Sequence, residues 1–330
     1  TKTKNVNYGV RKNAPQYVTS HTIKSIIKLL RCAWRQAIRW EVVKKNVFTD
    51  SNIPYYESKE SEIWTACEIQ HALEICEDQI LYLCINLAFS CSLRISEILG
   101  LTWNNIHIED EDFEKDNTRL VVDKQYVRID KSMIGILTKD EIYKQFDSQV
   151  KRDCKTVMVL KSLKMNGKSR TVWIPRTVAF MLKEWKNKQQ EIKNEFGNLY
   201  EDNNLVICFE NGRPIEKSNI ERRFKKFIEI NGLRKVVFHS LRHSSATYKL
   251  KLSKGDIKAT QGDTGHKSAE MITKRYAHIL DEDRKVNATK FEDEFYASKE
   301  NEEKDDASEL LDILKNNDAL REQLKKMLSL

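Results

Sequence analysis

The sequence has no apolar run near the length needed to cross a bilayer, and its first residues lack the charged, then apolar, then small pattern of a secretory leader. A soluble, cytosolic protein with no membrane partner is therefore expected. The seven cysteines (Cys32, Cys67, Cys76, Cys84, Cys91, Cys154, Cys208) are odd in number, scattered and never paired as C-x-x-C. That argues against both a disulfide framework and a zinc site. Carboxylates are not clustered as a metal-dependent nuclease requires, so neither metal nor cofactor is expected. Proline is scarce, at 4 residues, and no internal repeat or low-complexity tract appears beyond one acid-rich stretch.

Positive charge, by contrast, is in excess. The formal net charge is +8, yet between Glu292 and Glu309 nine acidic residues face only Lys299 and Lys304, a local −7 that leaves +15 elsewhere. A body this basic suits a polyanion, because each neutralised phosphate releases counterions. A solubilising lysine surface is an equally ordinary origin, so charge alone does not decide. The chain of 330 residues suits two unequal domains. It opens on Thr1 rather than Met, from which a missing N-terminal portion is expected.

Over residues 20–45, Ile23, Ile26, Ile27, Leu30, Ala33, Trp34, Ala37 and Ile38 recur at three- and four-residue spacing, which predicts a helix capped by Ser20 or Thr22. Arg31, Arg35 and Arg39 fall on its other positions and make a basic face suited to a DNA backbone. Pro54 marks a linker at 53–60. Further helices are predicted from about Ile63, over 80–89 (apolar nearly all round, hence buried), and from Ile95 to a stop at Gly100. Residues 104–175 change character. Segments 120–122, 157–160 and 171–174 read as strands, Asn166-Gly167 as a hairpin turn, and 109–156 as a strand-rich insertion. Helices resume at 178–193, 219–230, 240–250 and 267–276. Leu310, Ile313, Leu314, Leu324, Met327 and Leu328 then predict an amphipathic tail helix.

Four local patterns carry potential chemistry, and each alone has a bland explanation. Arg94 and Glu97 stand three apart at a helix start, which is usual for a surface ion pair. Here, however, Arg94 follows the most apolar helix of the chain, where a half-buried guanidinium calls for a planar anion and a carboxylate to orient it. His239 and Arg242, also three apart, open another helix on its positive end, with Ser240 available as an ordinary cap. Gly265-His266 precedes Tyr276 by ten residues, and Lys161, Lys164, Lys168 and Arg170 cluster around the expected hairpin.

Taken together and in this order, Leu93-Arg94-Ile95-Ser96-Glu97, the lysine hairpin, Phe238-His239-Ser240-Leu241-Arg242-His243, Gly265-His266 and Tyr276 resemble the active-site series of the tyrosine recombinases, in particular integrases of conjugative transposons. The likeness covers roughly residues 60–290, and 18–46 resembles the end of that family's core-binding domain. It implies a mainly α fold with a small antiparallel β-sheet: a catalytic domain at 61–296 preceded by part of a helical core-binding domain at 1–52, and a tail at 297–330. The resemblance assigns Arg94, Arg242 and His266 to the scissile phosphate, Tyr276 to nucleophilic attack, His239 to proton acceptance and Lys164 to protonation of the leaving oxygen. Glu97 supports Arg94, and His243 is structural. Counting back from Arg170 favours Lys164 over Lys161 and Lys168, which with Arg170 and the three helix arginines are expected to touch DNA.

The implied partners are double-stranded DNA, further copies of the chain in a dimer or tetramer joined through the tail helix, and an accessory DNA-bending or excision factor. The implied place is the bacterial cytoplasm, at the nucleoid when DNA is bound. Where many members have glycine before the Leu-Arg pair, this chain has Ser92, an altered turn. Two other readings of the same fold remain open here, a type IB topoisomerase-like enzyme and a non-catalytic DNA-binding protein. Possession of the whole residue series disfavours the second, and the tail and insertion disfavour the first.

Overall fold

The computed structural model describes residues 17–49, 62–136, 141–146, 154–163 and 169–265, with Glu322 and Met327. The chain divides into two compact units, Thr1–Glu60 and Ser61–Leu330.

In the first unit, α1 (Ser20–Arg39) is capped by Thr19, whose hydroxyl accepts from the Thr22 amide. The cap therefore lies one residue earlier than the sequence predicts. The helix also ends sooner, because Glu41 takes a left-handed conformation (φ 58°) that turns the chain back. Arg31 closes this return. Its Nε and Nη2 donate to the carbonyls of Phe48 and Thr49 at 2.7 and 3.1 Å, while Trp34 meets Phe48 edge-on at 4.9 Å. Arg31 thus departs from the shared outer face expected of the three arginines, whereas Arg35 and Arg39 are exposed.

The second unit is built around α3 (Gln79–Phe89), which buries Leu81, Leu83, Cys84, Ile85, Leu87 and Ala88. Such all-round burial is what a helix without a polar face demands. Asp78 caps α3 through the Leu81 amide and also receives Arg223 at 3.0 Å, tying in α7 (Lys217–Ile230). Before it, α2 (Ala66–Glu74) begins on a capping box in which Thr65 and Glu68 satisfy each other's amides. After it, α4 (Ile95–Leu99) stops at Gly100. That glycine is not a left-handed cap, as the sequence suggests, but a point of close approach. A Cβ there would lie 2.7 Å from the Gln125 Cα.

Among the described residues, the small antiparallel β-structure is divided into two three-stranded sheets. The first is ordered β1 (Ile106–His107), β2 (Arg119–Val122), β6 (Arg170–Trp173), and the second β3 (Lys124–Asp130), β5 (Thr156–Ser162), β4 (Ile142–Phe146). Between β1 and β2 lies α5 (Asp110–Glu114). β2 and β3 follow one another with only Asp123 between them, and this run takes β6 on one half and β5 on the other: Val122 opposes Arg170, and Lys124 opposes Ser162. Leu163 still donates to the Asp123 carbonyl, and residues 164–168, with Asn166-Gly167, lie outside the described residues. Instead of pairing with each other as an Asn166-Gly167 hairpin, β5 and β6 lie end to end on a shared partner. Segment 109–156 supplies α5, β2, β3 and β4, and its Leu120 and Val122 are in the main core.

The unit is completed by α6 (Arg176–Phe196), α8 (Phe238–Leu252) and α9 (Ile257–Thr264). Small buried residues on α8 (Ser240, Ser244, Ser245, Ala246) let it pack against α3. Among the described residues, no helix is long and apolar enough to cross a membrane, and all seven cysteines are free thiols.

Candidate active site

The site residues sit at element ends, where side chains from different parts of the chain can meet. Arg94 occupies the N-cap of α4, and Glu97 lies one turn on, 3% exposed. The Glu97 carboxylate accepts from Arg94 twice, from Nη1 at 2.8 Å and from the backbone amide at 3.0 Å. This is the orienting contact expected of the pair. Burial pushes the Glu97 carboxyl up, but hydrogen bonds and charge from Arg170, then from Arg94, outweigh it and hold the group at about 2. Glu97 is thus a carboxylate throughout the neutral range.

Arg170 is the contact that sequence reasoning missed. Its Nη2 and Nη1 grip the two Glu97 oxygens at 2.6 and 3.2 Å, a forked pair with the Arg170 side chain only 18% exposed. Strand alternation held the signal. Arg170 shares a face with Val172, a buried residue, and a charge on an inward face needs a counter-charge. Lys161 lies near the end of β5 opposite Gln125.

Arg242 is buried to 1% exposure on α8, where its Nη1 donates to the Ser92 carbonyl and its Nη2 to the Thr264 carbonyl. These two acceptors are neutral carbonyls on different segments, and they fix the plane of the guanidinium. The helix begins at Phe238 with Val237 at the cap position, so Ser240 lies inside the first turn and is not the cap. His239 is exposed. His243, one turn on, is buried, and the two rings stand 4.8 Å apart and nearly perpendicular. At the end of α9, Gly265 adopts φ 63°, and a Cβ there would come within 3.0 Å of Cδ and Nε of Arg170. Only glycine serves both the left-handed turn and this closeness.

The contacts close a ring. Arg94 holds Glu97, Glu97 holds Arg170, and Arg170 lies under Gly265. Thr264, next in the chain, receives Arg242, which returns to Ser92, two residues from Arg94. Each of the four sequence patterns thus contributes a described residue to the ring, whereas Lys161 and His239 are not among its links. Lys164, Lys168, His266 and Tyr276 lie outside the described residues. Two guanidinium groups are thus tied to one stretch of chain, the half-exposed Arg94 through its own backbone and the buried Arg242 through the Ser92 carbonyl.

Ser92 is a key link of the ring and is held at φ 53° with its hydroxyl 2.5 Å from that of Ser245. The left-handed conformation costs a non-glycine residue about 1–2 kcal/mol, and the buried hydroxyl pair returns roughly 1 kcal/mol. Ser92→Gly is therefore expected to be close to neutral. Ser92→Ala keeps the strain and strands Ser245, and should lower unfolding free energy by about 1–3 kcal/mol. Urea denaturation of the two variants side by side measures the difference; equal losses would remove the left-handed strain at Ser92 from the account.

A model of the phage integrase family matches residues 144–283, the segment that carries Arg170, Arg242 and Gly265. A protein described as tyrosine recombinase XerC-like, from Caldanaerobacter subterraneus subsp. tengcongensis, is 29% identical over 282 residues, 82% of this chain and 65% of its own length. The ICEBs1 integrase of Bacillus subtilis is 23% identical over 279 residues, 84% of this chain and 66% of its own. The chain spans slightly under two thirds of the length of these curated relatives. Among solved structures, the Tn1549 transposon integrase in complex with a circular intermediate DNA shares the fold at TM-score 0.62 and 16% identity, over 83% of this chain and 80% of that one. The ring of site residues, the fold and these matches agree in direction: residues 144–283 match the phage integrase family, and the chain is similar to tyrosine recombinases.

Proposed function

We propose that the protein is a site-specific DNA strand transferase, the integrase of a mobile element, that cleaves and rejoins double-stranded DNA through Tyr276. The observation that carries this reading is the closed ring linking Arg94, Glu97, Arg170, Arg242 and the Thr264-Gly265 turn, residues that lie up to 171 positions apart in sequence. Such a ring supports the reading because fixed cations suit a phosphodiester that gains charge in its transition state.

In the proposed reaction the Tyr276 oxygen attacks the scissile phosphorus, a P–O bond to tyrosine forms, and the bond to the 5′ oxygen breaks. An unperturbed phenol has a pKa of about 10, so attack at neutral pH requires a proton acceptor, and His239 takes that role. Lys164 gives its proton to the departing 5′ oxygen. Arg94, Arg242 and His266 hold the non-bridging oxygens. The 3′-phosphotyrosyl bond conserves the energy of the diester, so a second 5′ hydroxyl rejoins the strand without ATP. Exchange between two duplexes needs several protomers, and the tail helix with Leu310 to Leu328 is suited to link them, aided by an accessory DNA-bending factor. Arg35, Arg39, Lys161 and Lys168 supply backbone contacts to the duplex. The place of action is the bacterial cytoplasm.

Incubation with a nicked suicide DNA in the presence of EDTA is expected to give a complex that survives denaturant and disappears with protease. Arg94→Lys should bind the same DNA yet lose most of this product, since one ammonium cannot make the forked contact. Full yield from the lysine variant would take Arg94 out of the site; no adduct from the wild type would reject the strand-transfer reading.

A further inference from the structure

We infer that Arg170 is a positioning residue of the proposed strand-transfer site, one that neutralises Glu97 so that Arg94 keeps its charge for the phosphate, and that it is not a DNA contact. This rests on the reading given under Proposed function.

Glu97 has two cationic neighbours, and they do not share it equally. Arg170 engages both carboxylate oxygens through two nitrogens, at 2.6 and 3.2 Å, whereas Arg94 contributes one guanidinium nitrogen at 2.8 Å and its backbone amide. The side chains of Arg170 and Glu97 are 18% and 3% exposed, while that of Arg94 is 41% exposed. The buried, forked partner is thus Arg170, and the partner still open to a ligand is Arg94. In a low-dielectric pocket one carboxylate offsets about one cation. With Arg170 in place, the trio carries one net positive charge, located on the accessible guanidinium. Without it, Glu97 turns its full charge on Arg94, drawing that side chain towards itself and weakening its hold on a phosphate.

Arg170 also anchors what surrounds it. It opposes Val122 at the start of β6. Its Cδ and Nε lie under the Gly265 turn, where even a Cβ would approach to 3.0 Å. One side chain therefore connects the end of the lysine-bearing loop, the Arg94 helix and the turn that leads to His266. This placement faces inward, away from a backbone-contacting role.

The test is single-turnover cleavage of a suicide duplex by the wild type, Arg170→Met, and the double variant Arg170→Met with Glu97→Gln, with DNA affinity measured across salt concentrations. Arg170→Met is expected to lower the cleavage rate on the order of 10²-fold, with affinity and its salt dependence unchanged. The double variant should be faster than Arg170→Met alone, because it removes the carboxylate that Arg170 had neutralised. A direct phosphate contact predicts the opposite: weaker binding, a salt slope smaller by about 1, and no rescue by Glu97→Gln. Either that pattern or an unchanged cleavage rate overturns the inference. If Arg170→Met does not fold by circular dichroism, Arg170→Lys carries the comparison. Lysine keeps the charge that neutralises Glu97 but loses the fork, so cleavage should fall while affinity and salt slope stay as in the wild type; a weakened salt slope there counts against the proposal in the same way. A wild type that forms no adduct at all rejects the strand-transfer reading itself, an outcome distinct from an adduct-forming wild type whose Arg170 variants behave normally.

Discussion

Tyr276→Phe is expected to bind DNA like the wild type and to form no covalent adduct. The substitution removes one oxygen and keeps the ring, so packing and charge are unchanged while the atom proposed to bond phosphorus is lost. Loss of a nucleophile that acts together with its site removes most of the rate enhancement, on the order of 10⁶-fold in well-studied hydrolases, which here means product below detection. The measurement is denaturing electrophoresis of a labelled suicide duplex beside a native binding assay. Retained adduct in the phenylalanine variant would mean that another side chain attacks.

The second large effect is expected at Arg242. Its guanidinium is 1% exposed and tied to the carbonyls of Ser92 and Thr264. Those carbonyls hold it flat, so that it can meet a phosphate without reorganising, the condition under which a donor is worth most in catalysis. Lysine retains the charge but presents a single ammonium, which cannot satisfy two carbonyls on different elements and a phosphate together. Arg242→Lys is therefore expected to lower single-turnover cleavage on the order of 10²–10³-fold. Thermal stability should fall as well, because the Ser92 turn and the α9 terminus lose their shared donor. Cleavage rates at saturating protein separate the catalytic loss from binding; a lysine variant as fast as the wild type would leave Arg242 a purely structural strut.

The parts of this architecture that sequence made legible are those governed by local periodicity. α3 is apolar nearly all round and buries most of its surface, and β2, β5 and β6 fall where β-branched segments lie. The motif residues Arg94, Glu97 and Arg242 were visible as patterns because helical spacing puts residues three apart on one face. What escaped depends on partners distant in the chain. α9 has few apolar residues and contains Gly262, so its signals were the Asp256 cap and the Gly265 stop, not a hydrophobic stripe. The Asn166-Gly167 signal pointed to a hairpin, but strand pairing is decided by whichever neighbour offers the longer ladder, and the β2–β3 run offered it to both strands. Gly100 looked like a helix stop, yet its reason is the backbone of β3 passing beside it. Arg170 looked like one more surface cation; only the fold brings Glu97 to it across 73 residues.

The ring also explains why its members must work together. Arg94 and Arg242 are held by different routes, one by a carboxylate and the other by two carbonyls, and Ser92 joins the routes through the chain itself. A change at any link therefore moves a guanidinium relative to the phosphate, and displacements of about 1 Å in such sites already cost on the order of 10²-fold.

Peptide mapping of the trapped complex probes the central proposal most directly: after protease and nuclease digestion, mass spectrometry locates the residue that carries the nucleotide. The expected product is a peptide spanning Tyr276 with a nucleotide joined through its 3′ phosphate to the phenolic oxygen. A nucleotide found on a serine, cysteine or another tyrosine, or joined through a 5′ phosphate, contradicts it.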